Sequence, residues 1–202
     1  MKQSSGKVGE AKAIFRGRRR PLRTTEAIRL GIHPRTLYAM RDQGIIEPLG
    51  RGLYRLSGQP LANPDLVTVA LKISNGVICL ISALAFHEMT TQVPHEVYVA
   101  VLKGAEPPRL RHPPVRVFWF SGRAFSEGIE THAVDRVPVR VYSAEKTLAD
   151  CFKYRNKIGL DTAVEALKLY RRRKSFSVER LLRYARICRV EKVLRPYLEA
   201  VL

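Results

Sequence analysis

At 202 residues, 46% of them hydrophobic, the chain is long enough for one large or two small domains, and wholesale disorder is excluded. Its 36 Lys/Arg against 18 Asp/Glu leave a formal charge of +18, a surplus that points to a polyanionic partner, nucleic acid first and an anionic membrane surface second. The longest apolar run, Gly76 to Phe86, is interrupted by Ser82 and falls well short of the ~20 residues of a span, so a cytoplasmic protein with no membrane partner is expected.

The charge is unevenly placed. Residues 1–58 carry 13 basic against 4 acidic side chains, residues 59–152 balance at 9 each, and residues 153–195 carry 14 against 4. Two basic ends therefore flank a neutral middle, which a uniformly solubilised surface would not produce. Cys79, Cys151 and Cys188 are far apart without CxxC spacing, so buried free thiols are expected rather than a zinc site or a disulfide frame. The basic start AKAIFRGRRR breaks with charge before a signal core can form.

In chain order, GEAKAIFRGRR spaces Ala11, Ile14 and Phe15 as a first helix. TTEAIRLG follows, with Thr24 or Thr25 as cap and Gly31 as terminator. HPRTLYAMRDQG is a third helix, with Pro34 in its first turn, Leu37 and Met40 turned to the core and Gly44 past its end. IIEPLGRGLYRL then folds back around Gly50-Arg51-Gly52 as a hairpin. Three short helices and a hairpin are the order of a winged helix-turn-helix, expected over 1–58, with SGQPLANP (57–64) as a linker.

Beyond it, PDLVTVALKIS and SALAFHEM read as helices, and HEVYVAVLKG and VRVFWFSG as strands. GIETHAVDRVPVRVY supplies one or two more strands. AEKTLADCFKYRNKIG, capped by Ser143 with Glu145 in its first turn, opens a wholly helical end that runs through LDTAVEALKLYRRRK, SVERLLRYARIC and VEKVLRPYLEAVL. The expected fold class is α+β: an N-terminal winged helix-turn-helix, then a C-terminal α+β domain over 59–202 with a small β-sheet and a helical bundle.

A helix-turn-helix of this order presents Pro34, Arg35, Thr36 and Tyr38 to a DNA groove, with Arg41 one turn on. Arginine pairs bidentately with guanine, whereas Tyr38 and Arg41 suit phosphates. Arg51 and Tyr54 of the wing, Thr25, and the basic run Arg18, Arg19 and Arg20 complete the candidate DNA surface. The alternative use of such a module is protein docking with a solvated basic face. A second basic surface, Lys168, Arg171, Arg172, Arg173 and Lys174, exceeds what a helix C-terminus needs and fits a second nucleic-acid contact or an acidic protein partner, with a solvated face as the alternative.

No catalytic set is supported, so the chain is read as a non-enzyme without cofactor or metal. His87-Glu88 lacks the second histidine of HExxH, since position 91 is Thr91, leaving His87 as a capped or hydrogen-bonded helix histidine. Asp135, Glu145 and Lys146 offer nuclease-type residue chemistry, but SAEKTLAD reads as a capped helix start with Asp150 exposed or paired.

The stretch TTEAIRLGIHPRTLYAMRDQGIIEPLGRGLYRL resembles the N-terminal domain of AbiEi-type antitoxins of abortive-infection toxin–antitoxin systems. ISALAFHEMTTQVPHEVYVAV and VRVYSAEKTLADCFKYRNKIGLDTAVEALKLYRRR continue the resemblance in the same order, over most of residues 20–174. It implies an autorepressor binding inverted repeats of double-stranded operator DNA in its own promoter, and an antitoxin countering a cognate nucleotidyltransferase-like toxin. The alternative is a stand-alone winged-helix regulator whose second domain oligomerises or senses.

Overall fold

In the computed structural model, residues 2–202 are described, with side chains from residue 6 onward. They fall into two units, one reaching Lys72 and adding Ala133–Pro138, the other formed by Ile73–His132 and Val139–Leu202. Both mix helices with a sheet, an α+β architecture.

The first unit runs α1 (Lys2–Arg18), β1 (Leu22–Arg23), α2 (Thr24–Arg29), α3 (Pro34–Asp42), β2 (Ile46–Gly50), β3 (Leu53–Leu56) and α4 (Pro64–Lys72). Its sheet has the order β1-β3-β2, all antiparallel, with a register shift between Pro48 and Gly50. The apolar positions of α1 and α3 close one core: Ala11, Phe15, Leu37 and Met40 meet Leu22, Ala27, Ile32, Ile46 and Tyr54. The stripes at three- and four-residue spacing thus bury as a helix pattern should. α4, grouped with the second domain in the sequence, packs instead against β2.

Two local details differ from expectation. Neither Thr24 nor Thr25 caps α2; Arg23 stands at that position without a side-chain cap bond, and Thr24 donates its N–H to the Gly52 carbonyl at 3.0 Å. The hairpin tip thereby satisfies a donor that a hydroxyl was expected to take. Of the two tip glycines only Gly52 is left-handed, at φ +66°, and a Cβ there would stand 3.3 Å from Thr24 Oγ1. Gly52→Ala is expected to lower stability by about 1–2 kcal/mol. Thermal melting checks this, and an unchanged Tm would show a tip free to relax.

The second unit holds β4 (Val77–Ile78), α5 (Leu80–Phe86), β5 (Val97–Leu102), β6 (Val115–Phe120), α6 (Arg123–Ser126), and most of β7 (Ile129–Val134) and β8 (Val137–Tyr142), whose connecting residues Ala133–Pro138 are the ones that join the first unit. Then come α7 (Ala144–Lys153), α8 (Arg155–Ile158), α9 (Leu160–Arg171), α10 (Val178–Ile187) and α11 (Glu191–Glu199). The mixed sheet has the order β6-β5-β4-β8-β7, with β5–β6 and β4–β8 parallel and β4–β5 antiparallel. β4 is a two-residue strand inside an apolar run, too short for a period to mark it. The helix expected through Gly159 breaks at Tyr154 into α7 and α8.

α7 is buried along its whole length from Glu145 to Phe152. Ser143 caps it, accepting from Lys146 N at 3.3 Å. Lys146 and Asp150, one turn apart, pair at 2.5 Å with both side chains shut from solvent. The Tyr142 ring lies 4.1 Å from the ammonium and the Phe120 ring 4.9 Å. The Cys188 thiol donates to Asp150 at 3.2 Å. Burial drives the Asp150 carboxyl above its ordinary range, against the opposing pull of the Lys146 ammonium. The three cysteines are buried and free, and burial raises all three thiols, that of Cys188 to about 12.

Candidate nucleic-acid interface

The residues expected to contact DNA are largely gathered on the surface of the first unit. His33 opens α3 as N-cap, its Nδ1 accepting the Arg35 N–H at 3.1 Å, and Pro34 fills the first helical position, where no donor is needed. This fixes the helix start so that Arg35, Tyr38 and Arg41 are exposed while Leu37 and Met40 are fully buried. Pro34 and Thr36 are half-buried beside them. Tyr38 is 41% exposed, and the Arg41 guanidinium stacks over its ring at 5.2 Å.

Arg18, Arg19, Thr25 and Arg51 are also exposed. Arg51 sits at the hairpin tip, whose backbone is braced twice: Thr24 N binds the Gly52 carbonyl, and the Lys72 ammonium binds the Arg51 carbonyl.

Three expected contacts change status. Tyr54 is only 6% exposed and belongs to the core, so it does not present a surface; its strand neighbour Leu53 is buried as well. Arg20 is forked onto Glu26, with Nη1 at 3.1 Å from Oε2 and Nη2 on Oε1, so its charge is already matched. Arg41 shares Asp42 Oδ1 at 2.7 and 2.9 Å, and that hydrogen bond raises its pKa further above an already high value. Arg35, Arg18, Arg19 and Arg51 form no ion pair among the described residues.

Sequence reasoning missed Arg23 and Lys72. Arg23 lies opposite Leu53 in the β1–β3 ladder, and Lys72 reaches the hairpin tip from the end of α4. Partial burial lowers the Lys72 pKa, and the Arg23 and Arg51 charges lower it further. Three cations therefore converge at the hairpin without a carboxylate among them. A basic residue beside the hairpin in β1 was readable; the return of α4 to the tip was not.

On the second unit, Lys168, Arg171, Arg172 and Lys174 are exposed and Arg173 half-buried, around the end of α9. None of the five is in an ion pair among the described residues, and Arg171 stacks on Phe176 at 5.1 Å. The arginines of α10 differ: Arg180, Arg183 and Arg186 pair with Glu145, Glu127 and Glu191. The basic helical end is thus divided into a matched face and an unmatched knot.

Asp135, Glu145 and Lys146, the residues with nuclease-type chemistry, are each engaged by other partners. Asp135 belongs to the first unit, where its two oxygens accept from Ala62 N at 3.0 Å and Asn63 N at 3.2 Å. Glu145 is buried in the second unit, accepting from the Tyr170 hydroxyl at 2.8 Å, and Lys146 is sealed against Asp150. His87 places Nε2 at 2.7 Å from the Tyr142 carbonyl, as a hydrogen-bonded helix-end histidine. No group of three His, Cys, Asp or Glu able to hold a metal occurs among the described residues. No helix among them is long and apolar enough to cross a membrane.

Residues 10–57 match the family model described as transcriptional regulator, AbiEi antitoxin, the family that the sequence resembles. Nothing among the curated proteins matches the chain. Among solved structures, the crystal structure of RV2827C protein from Mycobacterium tuberculosis is similar in fold, with a TM-score of 0.65 at 12% identity over 98% of this chain and 81% of that one.

Proposed function

We propose that the chain is a DNA-binding transcriptional autorepressor and the antitoxin of a toxin–antitoxin pair. Its first unit acts as a winged helix-turn-helix, with α3 as the recognition helix and the β2–β3 hairpin as the wing. The observation that carries this reading is the family match over residues 10–57, which coincides with the segment that exposes Arg35, Tyr38, Arg41 and Arg51. Arg35, unpaired at the start of α3, reads a base edge; Arg18, Arg19, Arg51 and the added Arg23 and Lys72 neutralise phosphates. The partners are double-stranded operator DNA, with inverted repeats in its own promoter, and a nucleotidyltransferase-like toxin.

The second unit carries the antitoxin half, with the unmatched knot of Lys168 to Lys174 as its contact surface. Growth rescue tests this: the neighbouring gene is induced alone, then with the intact chain or with the chain truncated at residue 58. Arrest relieved only when residues 59–202 are present supports the antitoxin role. A second reading is favoured by the family match ending at residue 57: a stand-alone regulator whose second unit oligomerises or senses. No arrest, or no relief, selects it.

Lys72→Gln is expected to make the slope of log K against log salt shallower by about 1, equally on operator and random DNA. A slope unchanged by the substitution would leave Lys72 as a brace for the hairpin tip alone.

A further inference from the structure

The first unit contains a cleft of about 590 Å³ that shares only Arg19 with the proposed DNA surface. Arg16 and Arg19 from the end of α1, Ser57 and Gln59 after β3, and Arg136 at the β7–β8 turn line it, with Leu56 as an apolar wall. Its volume is that of small-molecule sites, roughly 300–1,000 Å³.

The backbone marks this cleft out. Six non-glycine residues among those described have positive φ, and three of them line it: Arg19 at 51°, Asp135 at 49° and Arg136 at 61°. Arg19 follows a helix end and Asp135-Arg136 turn a hairpin, positions where glycine is favoured because it lacks the Cβ that clashes there. Arginine in two such places is a conformational cost that the fold alone does not require. The cleft's one carboxylate, Asp135, is engaged with two backbone N–H groups of the following loop. Arg16, Arg19 and Arg136 form no ion pair among the described residues, so three guanidiniums share one concavity without being paired to its single carboxylate.

We propose that this cleft binds a phosphate-bearing small molecule of nucleotide size, its phosphates held by Arg16, Arg19 and Arg136 and its body resting on Leu56, Ser57 and Gln59. Guanidinium forks match phosphate oxygens bidentately, and such charge-assisted bonds are the strong ones. A concave wall of mixed polarity suits a nucleoside better than the convex backbone of a duplex.

The test is calorimetric titration of the full chain with pyrophosphate, ATP and GTP. Wild type is expected to bind at least one of them at micromolar strength. Arg136→Gly and Arg19→Gly are each expected to weaken it about tenfold, while Tm holds or rises, because glycine accepts the positive φ. Arg109→Gln removes the same charge from an exposed position in the other unit and is expected to change nothing. Arg16→Gln, on a regular helix, carries the test if a turn variant melts early. Absence of binding by all three probes overturns the proposal, as does equal weakening by Arg109→Gln. If Arg136→Gly spares nucleotide binding but weakens DNA binding, the cleft belongs to the duplex and the proposal fails. Failure of wild type to bind DNA leaves this site unaffected.

Discussion

Replacing Asp150 by alanine is expected to destabilise the second unit by about 3–5 kcal/mol. The carboxylate and the Lys146 ammonium are both closed off from water, so removing one partner strands a charge between the Tyr142 and Phe120 rings. The Cys188 thiol also loses its acceptor. Trp119, the chain's one tryptophan, lies on β6 of the same unit and reports urea unfolding by fluorescence. Lys146→Met combined with Asp150→Leu is expected to recover most of the loss, because an apolar pair of similar volume avoids both desolvation costs. A single-variant cost below about 1 kcal/mol would mean that water reaches the pair.

Arg35→Ala is expected to weaken operator binding by about 1–3 kcal/mol and to relax base preference at one position, while random DNA is bound nearly as before. The His33 cap and Pro34 hold the start of α3 in place, so the loss is chemical rather than structural. If about six phosphates are neutralised, the wild-type slope of log K against log salt lies near −5. Competition binding over a salt series measures both. An equal loss on all sequences would make Arg35 a phosphate contact, and a slope shallower than about −2 would remove the DNA-binding reading altogether.

Much of the first unit was legible because its signals are local. The three-residue spacing of Leu37 and Met40, the His33-Pro34 start and the glycine-marked hairpin each act within a few residues, and each appears where expected. Errors arose where a distant element supplied the partner. Thr24 was expected to cap with its hydroxyl, but the hairpin carbonyl of Gly52 returned to take the backbone donor. Tyr54 carries a polar tip suited to DNA, yet the first core needed its ring. Arg20 and Glu26 are six residues apart, a spacing that predicts no pairing on a single helix, and they meet only because the chain turns between α1 and α2.

In the second unit the pattern of SAEKTLAD fixed a capped helix, and the apolar and polar residues around it look alike for an exposed or a buried one. Only packing made it the central helix. α5, α9 and α10 pack around it, and Phe120 and Tyr142 of the sheet stand beside Lys146. That enclosure turned a helical Lys–Asp spacing into a buried ion pair.

The sequence by itself determined a strongly basic α+β chain with charge at both ends, an N-terminal helix–hairpin module, and buried unpaired thiols. These follow from composition and short-range periodicity, which act before the chain closes. The tertiary structure alone decided which cations are spent and which are free. Arg20 and the α10 arginines found carboxylates, whereas Arg35, Arg51, Lys72 and the arginines of the cleft did not. A charge's availability depends on what folds within a few ångströms of it, and the carboxylates that matched these arginines lie from 5 to 56 positions away in the chain.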